Sequence, residues 1–321
     1  MIDTSIDRCK EIFQSVSDVG VDNTAKKYNL NRETIRRYVR MAKSIETPGE
    51  QITPKRESLI NKLSHLSDDE LSRMVNGSSK KPYDKQIIDF DGETIRFLAL
   101  GDTHIGSVYF DDEKLIAAFD EAKAQGCEFM LHTGDLLEGM STRPGHVYEL
   151  ADIGYGRQRD HARELLKEWG LPFYLVGGNH SNWINTKGGM GIDVEEDLCR
   201  EFQYGHYLGM HEGDLELNGV KVKLWHGEDG SSYATSYRVQ KIIEAFTGGE
   251  KPHILLCGHT HKSLFIFERN VHAISTGCIQ RQSGFMRMKK LASHVGFWIV
   301  EMTVGNGDVK KFSPTWYPFY K

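Results

Sequence analysis

Five short apolar runs in this chain end in the same way. "RFLAL" runs into Gly101-Asp102-Thr103-His104, and "EFMLHT" into Gly134-Asp135. "PFYLV" runs into Gly177-Gly178-Asn179-His180, "VKVKLW" into His226-Gly227, and "HILLC" into Gly258-His259-Thr260-His261. Short apolar runs bounded by turn residues read as buried strands. A glycine at each junction lets the backbone turn sharply and approach a ligand. In open α/β sheets, ligands sit outside the carboxyl ends of the strands. A chain with this pattern is therefore expected to bring five separate segments to one rim.

The intervening segments agree with a layered α/β sandwich. Strands are expected at 97–100, 129–132, 173–176, 220–225 and 254–257, and helices at 111–125, 157–169, 193–202 and 233–246. "IIDFDGETIRFLAL" reads as a hairpin around Asp91-Gly92, and "LNGVKVKLW" as another around Asn218-Gly219. The last third, with "SLFIFE", "VHAIST" and "VGFWIVEMTV", is mostly strand. Internal repeats and low-complexity tracts are absent from the sequence.

The N-terminal segment differs in character. Residues 6–16 carry apolar side chains at helical spacing, and "DNTAKKYNLNRETIRRYVRMAK" follows. Ala25 is small where two helices would touch, Asn29 marks a turn between Tyr28 and Leu30, and Ile35 and Tyr38 face one way. This spacing predicts a helix-turn-helix whose second helix begins near Arg32 and would enter the major groove. Arg32, Arg36, Arg37 and Arg40 are its candidate nucleic-acid contacts. Residues 24–43 hold seven Lys or Arg and one acid, a local net of +6 in a chain whose net is −5, which leaves −11 elsewhere. A basic segment on an acidic body suggests two tasks. "ETPGEQITP", a capping box from Ser67 to Glu70 and "NGSSKKP" read as a connector. The expected domains are a helix-turn-helix over 1–45, a helical connector over 46–82 and a larger domain over 83–321.

The rim residues comprise two carboxylates, five imidazoles and one amide. Such donors suit divalent transition ions better than calcium. They are too many for one ion, and fit two ions about 3.5–4 Å apart that share a carboxylate. The sequence has no apolar run long enough for a membrane span and no signal-peptide core at its start. Its five cysteines are scattered and form no C-x-x-C pair. Reduced thiols and a cytoplasmic location are expected. There is no G-x-x-x-x-G-K-[ST] phosphate loop.

The ordered set D-x-H, G-D, G-N-H, H and G-H-x-H, over about residues 95–275, resembles the calcineurin-like metallophosphoesterases, and within them the phage and bacterial DNA repair exonucleases. The resemblance implies a four-layer β-sandwich flanked by helices. It implies that Asp102, His104 and His261 hold one metal, that Asn179, His226 and His259 hold the second, and that Asp135 bridges the two. His180 would meet the substrate and the leaving oxygen. The metals would be manganese foremost, with iron, zinc or magnesium as alternatives, and would ionise the attacking water. Ser181 stands where an acid commonly follows the Asn-His pair, and Lys262-Ser263 replaces a proline-containing turn. Gly134-Asp135-Leu136-Leu137-Glu138-Gly139 lacks the arginine of the serine/threonine protein phosphatases, and Glu138 offers a carboxylate behind the ligands.

The function expected from these features is a metal-dependent DNA phosphodiesterase, a nuclease held on duplex DNA by its helix-turn-helix. The alternative is a phosphatase or a small-molecule or cyclic-nucleotide phosphodiesterase whose helix-turn-helix serves dimerisation or partner binding. A non-enzymatic DNA-binding factor with a vestigial site is disfavoured by the intact ligand set. DNA is the expected partner, with a homodimer as a further one. His132 is expected to be packed and Cys257 inert. Trp183, Tyr148, Arg157, Arg159 and Arg163 read first as structural. Arg281, Arg287, Lys289 and Lys290 are evenly balanced between phosphate contact and solvated surface.

Overall fold

The computed structural model describes residues 6–45, 85–183, 193–227 and 234–319. The chain divides into two compact units, Met1–Lys80 and Lys81–Lys321. The connector expected over 46–82, with its capping box, lies outside the described residues.

In the first unit, α1 (Ile6–Tyr28) is interrupted at Gly20, whose φ of 80° and ψ of 165° no helix accommodates. Asn29 takes a left-handed φ of 51°, and the Leu30 N–H closes the turn on the Ala25 carbonyl at 3.0 Å. Asn31 then caps α2 (Arg32–Ile45), its Oδ1 accepting the Thr34 N–H at 2.7 Å. Ile12, Ile35 and Tyr38 are buried together against Ala25, Tyr28 and Leu30. Arg32 and Arg36 are exposed; Arg32 pairs with Asp22 at 2.6 Å and Arg36 with Glu33 at 4.0 Å. The side chains of Arg37 and Arg40 lie outside the described residues.

The second unit is built on two six-stranded sheets. Its elements in chain order are β1 (Gln86–Ile88), β2 (Thr94–Leu100), α3 (Asp112–Ala124), β3 (Phe129–His132), α4 (Tyr155–Trp169), β4 (Phe173–Val176), α5 (Val194–Cys199), β5 (Gly205–Gly209), β6 (Glu212–Leu217), β7 (Val220–Trp225), α6 (Tyr237–Ala245), β8 (Ile254–Cys257), β9 (Ser263–Glu268), β10 (Val271–Thr276), α7 (Gly284–Lys289), β11 (Gly296–Gly305) and β12 (Asp308–Pro318). One sheet runs β12-β11-β2-β3-β4-β5, with β2 to β5 parallel. The other runs β1-β6-β7-β8-β10-β9.

Burial on both faces explains the unbroken apolar runs of the central strands. Phe97, Ala99, Phe129 and Leu131 meet Val222, Leu224, Ile254 and Leu256 between the sheets. Leu98, Leu100, Met130 and Leu175 face outward under Leu115, Phe119, Leu165 and Trp169 of α3 and α4. Val239 and Ile243 of α6 cover Leu255, Cys257 and Ala273 on the far side. The expected four layers are therefore present: helices, sheet, sheet, helix.

One expected hairpin is overturned. β1 pairs in parallel with β6, while β2 lies in the other sheet between β3 and β11, so Asp91-Gly92 carries the chain between sheets. Leu98 and Leu100 need a helix on one side as much as Phe97 and Ala99 need a sheet on the other, which demands a central strand. Asn218 anchors the crossing by accepting the Phe90 N–H at 2.6 Å and donating to its carbonyl at 3.1 Å. The hairpin at Asn218-Gly219 does form, joining β6 and β7, with φ of 48° and 84° at its two turn residues. Cys127, Cys199, Cys257 and Cys278 are buried free thiols. Burial first of all pushes the Cys257 thiol up to about 12, which makes it inert. Among the described residues, no helix is long and apolar enough to cross a membrane.

Candidate metal centre

The five strand ends meet, but on a rim shared by both sheets. β2, β3 and β4 deliver Asp102, His104, Asp135 and Asn179 from one sheet, and β7 and β8 deliver His226, His259 and His261 from the other. Five of these residues hold a left-handed backbone: Asp102 (φ 49°), His104 (54°), Asp135 (51°), His259 (74°) and His261 (54°). That conformation costs a side-chain-bearing residue roughly 1–2 kcal/mol. It persists where surrounding structure imposes it, and such strain gathers at functional sites. Here the Asp102 N–H binds the Gly134 carbonyl at 2.9 Å and the His104 N–H the Asp135 carbonyl at 3.0 Å. The His259 N–H donates to both Asp102 oxygens at 2.9 and 3.0 Å. The His180 N–H donates to Asp135 Oδ1 at 2.9 Å. Gly178 has no room for a side chain, because a Cβ there would stand 2.1 Å from Asp135 Oδ1.

Around this frame the donor atoms form two adjoining groups. In one, His104 Nε2 and His261 Nε2 are 3.0 Å apart, and Asp102 Oδ1 is 3.4 Å from His261 Nε2. In the other, Asn179 Oδ1 lies 3.0 Å from His226 Nε2 and 2.8 Å from His259 Nδ1. Asp135 Oδ2 reaches between them, 3.1 Å from His226 Nε2 and 4.0 Å from His104 Nε2. Asp135, His226 and His259 form one ligand-spaced cluster, Asp102, His104 and His261 another, and His104, Asp135 and His180 a third.

The tautomers test whether cations fit. His226 Nδ1 sits 2.8 Å from the Thr133 carbonyl, so its N–H points there. Its Nε2 lone pair then faces the oxygens of Asn179 and Asp135. His104 Nδ1 lies 3.0 Å from Glu138 Oε2, which turns a second Nε2 lone pair toward His261. Acceptors facing acceptors at these distances require a proton or a metal ion between them. Without a cation, protons answer the same demand. Burial works against protonating His226, yet Asp135 and Asp102 raise it to about 9. Burial likewise opposes ionising Asp135, but the charges of His226 and His180 hold it well below the usual carboxylate range. Burial pushes Asp102 up to about 7. Burial and the charge of His226 lower His259 to about 4, which keeps it a neutral nitrogen donor. The arrangement suits divalent ions, with carboxylates and lone pairs converging in a dry site.

Glu138 lies directly behind the ligands. Its carboxylate is 3.0 Å from His104 Nδ1, 2.9 Å from His146 Nε2 and 3.0 Å from Gln280 Nε2. Burial opposes its ionisation, but His180, His104 and His146 hold its pKa far below the ordinary glutamate value. Carboxylates in this position fix the ring orientation of ligating histidines. His146, Gln280 and the Thr133 carbonyl belong to no motif and were not legible from sequence. Only the spacing of Glu138 three residues beyond Asp135 hinted at its role.

His180 opens the single helical turn Asn179–Asn182. Its Nδ1 meets the Glu138 carbonyl at 2.8 Å, and the Trp183 ring packs against its own at a 33° tilt, centres 4.0 Å apart. Desolvation first of all lowers its pKa, against the attraction of Asp135. Ser181 hydroxyl donates to Glu195 of α5, so the acid expected beside the Asn-His pair arrives from another segment. Burial, then the charge of Asp193, raise Glu195 to about 8. His132 is packed as expected: it accepts the Gly134 N–H at 3.2 Å, and burial lowers it to about 3.

A cavity of about 420 Å³ opens over the centre, lined by His104, Asp135, Asn179, His180, His259 and His261, with Trp183 and Phe285 on its wall. Arg159 and Arg163 are committed to Asp160, Asp197 and Glu201 on α4 and around it. Tyr148 is solvent-exposed, as are Arg281, Arg287, Lys289 and Lys290.

Comparison with known proteins agrees with this geometry. The model of the calcineurin-like phosphoesterase superfamily domain matches residues 95–290. The DNA polymerase II small subunit of Halobacterium salinarum is 22% identical over 260 residues, covering 68% of this chain and 51% of its own. The protein of the same name from Methanothermobacter thermautotrophicus is 20% identical over 240 residues, covering 61% and 50%. The chain thus spans about half the length of the curated relatives it matches. Among solved structures, an archaeal phosphodiesterase aligns at 14% identity over 70% of this chain and 100% of its own, with a TM-score of 0.41.

Proposed function

The chain belongs to the calcineurin-like phosphoesterase superfamily, and from that premise we propose that it is a two-metal phosphodiesterase acting on DNA. The observation that carries this reading is the convergence of six donor side chains around Asp135, with His180 beside them and a cavity above. Asp102, His104 and His261 would hold one ion, Asn179, His226 and His259 the other, and Asp135 both. Two bound cations, manganese foremost with iron, zinc and magnesium as alternatives, supply Lewis acidity and lower the pKa of water to near neutral.

The chain's own residues do the rest. Glu138 fixes His104 with its Nε2 toward the ligand position. Asp135 accepts the His180 N–H and so ties the metal ligand to the residue that meets the substrate. The Glu138 carbonyl engages His180 Nδ1, which leaves Nε2 as the atom that exchanges a proton with the leaving oxygen. Trp183 braces the imidazole from one side.

DNA is favoured as the substrate by charge. The net of +6 over residues 24–43 lies in a chain that is otherwise acidic, and phosphate binding needs such a basic arm. The curated relatives are named as subunits of a DNA polymerase. In this reading Arg36, Arg37 and Arg40 are the residues that contact the duplex. A second reading, a nucleotide-sized substrate with the helical unit pairing two copies, draws on the small cavity and on the ion pairs that engage Arg32 and Arg36.

The test is manganese-dependent cleavage of linear duplex, nicked and single-stranded DNA, with bis- and mono-nitrophenyl phosphate alongside. Hydrolysis of diesters, with DNA cleavage weakened in the triple variant Arg36→Glu, Arg37→Glu, Arg40→Glu, supports the proposal. Hydrolysis of monoesters alone sinks it.

A further inference from the structure

We propose that the cavity beside the metal centre seats one unstacked nucleobase, so that the substrate enters as a single-stranded end. This rests on the phosphodiesterase reading above. At about 420 Å³ the cavity is of small-ligand size. That is room enough for one nucleotide. Its lining away from the metal donors combines the apolar side chains of Trp183, Phe285, Met286 and Leu291 with the Arg143–Glu149 ion pair. Trp183 touches the reacting side directly, its ring centre 4.0 Å from that of His180 at a tilt of 33°. Phe285 is held in place on the other side by the Arg143 guanidinium, 5.3 Å from its ring centre, and Arg143 is itself paired to Glu149. A nucleobase offers the flat, sequence-independent face that such a wall binds.

The charge around the opening fits the rest of the strand. α7 supplies Phe285 and Met286 to the wall, and the segment around it carries Arg281, Arg287, Lys289 and Lys290, all exposed, with no acid from 281 to 290. On an acidic body this strip is the surface that attracts phosphates. A strand whose terminal base enters the cavity would lay its following phosphates there. Unstacking costs least at a single-stranded end, so overhangs and single strands are the favoured form.

The experiment uses the full chain with manganese and two chromogenic diesters sharing one leaving group, p-nitrophenyl thymidine-5′-phosphate and p-nitrophenyl ethyl phosphate. The expected result is a kcat/KM preference for the nucleoside diester of roughly 10- to 100-fold, the range of one stacked base. Phe285→Ala should bring the ratio close to one, and Phe285→Tyr should restore it, which separates stacking from misfolding. Oligonucleotides ending in an abasic site should be cut correspondingly more slowly than intact ones. Equal rates on the two diesters, or a ratio untouched by Phe285→Ala, overturn the base seat and leave the diesterase standing. Failure to hydrolyse either diester overturns the diesterase reading, and this inference with it.

Discussion

Replacing His261 with glycine should make the metal-free protein more stable while weakening its response to metal. His261 holds φ at 54°, and its Nδ1 is buried without a hydrogen-bond partner. Its Nε2 faces His104 Nε2 at 3.0 Å, and burial, then the His104 charge, push its pKa well below the ordinary imidazole value. Glycine removes a left-handed penalty of roughly 1–2 kcal/mol, against about 0.4–1 kcal/mol for its freer unfolded chain. Removing an unsatisfied buried nitrogen returns roughly 1–3 kcal/mol. The space left adjoins the open cavity, so water refills it. The net is a gain of about 1–5 kcal/mol, read as roughly 2–4 °C per kcal/mol in a domain of this size. Thermal melting in chelator and across a manganese titration reads both effects. The wild type should rise by the equivalent of about 2.7 kcal/mol at a hundredfold excess over Kd, and the variant, which loses a donor to one of the two proposed ions, should rise by less, so the gap between the curves narrows. His261→Ala keeps the Cβ and the strained backbone, and should melt below His261→Gly. A glycine variant less stable than wild type in chelator, or an alanine variant equal to it, would refute the strain argument.

Further outcomes follow from the same geometry. Glu138→Gln should keep the fold but weaken manganese binding by roughly 10- to 100-fold, measured by titration calorimetry, because His104 loses the carboxylate that orients it. Gly178→Ala should abolish metal binding outright, since the new Cβ falls 2.1 Å from Asp135 Oδ1; unchanged affinity would show that the turn can yield. Glu195 keeps its proton in the fold up to about pH 8, whereas the unfolded chain releases it near 4.3. Its contribution to stability is therefore full below about pH 4.3 and is lost as pH rises toward 8. Urea melts from pH 5 to 9 in chelator should show a shallower decline for Glu195→Gln than for wild type, and parallel profiles would count against it.

The strands and the rim were legible because each signal was local. An apolar run and a glycine followed by Asp, His or Asn occupy eight or nine consecutive residues, and the structure places every such run on one rim. Asp91-Gly92 misled for the same reason: a turn dipeptide says that the chain bends, not which sheet receives it. That choice depends on β2 burying both faces, a fact about Leu98 against α3 and Phe97 against the opposite sheet. Glu138, His146 and Gln280 escaped because their meeting depends on how the segment between β3 and α4 folds back on itself and meets one 142 residues further on. The left-handed backbones at Asp102, His104, Asp135, His259 and His261 were not read either: Asp and His enter that region more often than most residues, but far too seldom for their presence alone to predict it.

Those backbones and the opposed lone pairs express one physical fact. Each ligand-bearing turn aims its side chain inward at a conformational cost, and the side chains so aimed repel one another through Nε2 and carboxylate oxygens. Hydrogen bonds from the His259 and His180 N–H groups to Asp102 and Asp135 hold the arrangement but do not relieve it. Only positive charge between the donors does, whether as protons on His226 and His104 or as divalent ions. Cations bound there would relieve the repulsion among the donors, while the left-handed backbones are held by the surrounding hydrogen bonds. Ser181 belongs to this economy of positions: by reaching Glu195 on α5, it fixes the turn that carries Asn179 and His180 without adding a further charge to the ligand cluster itself.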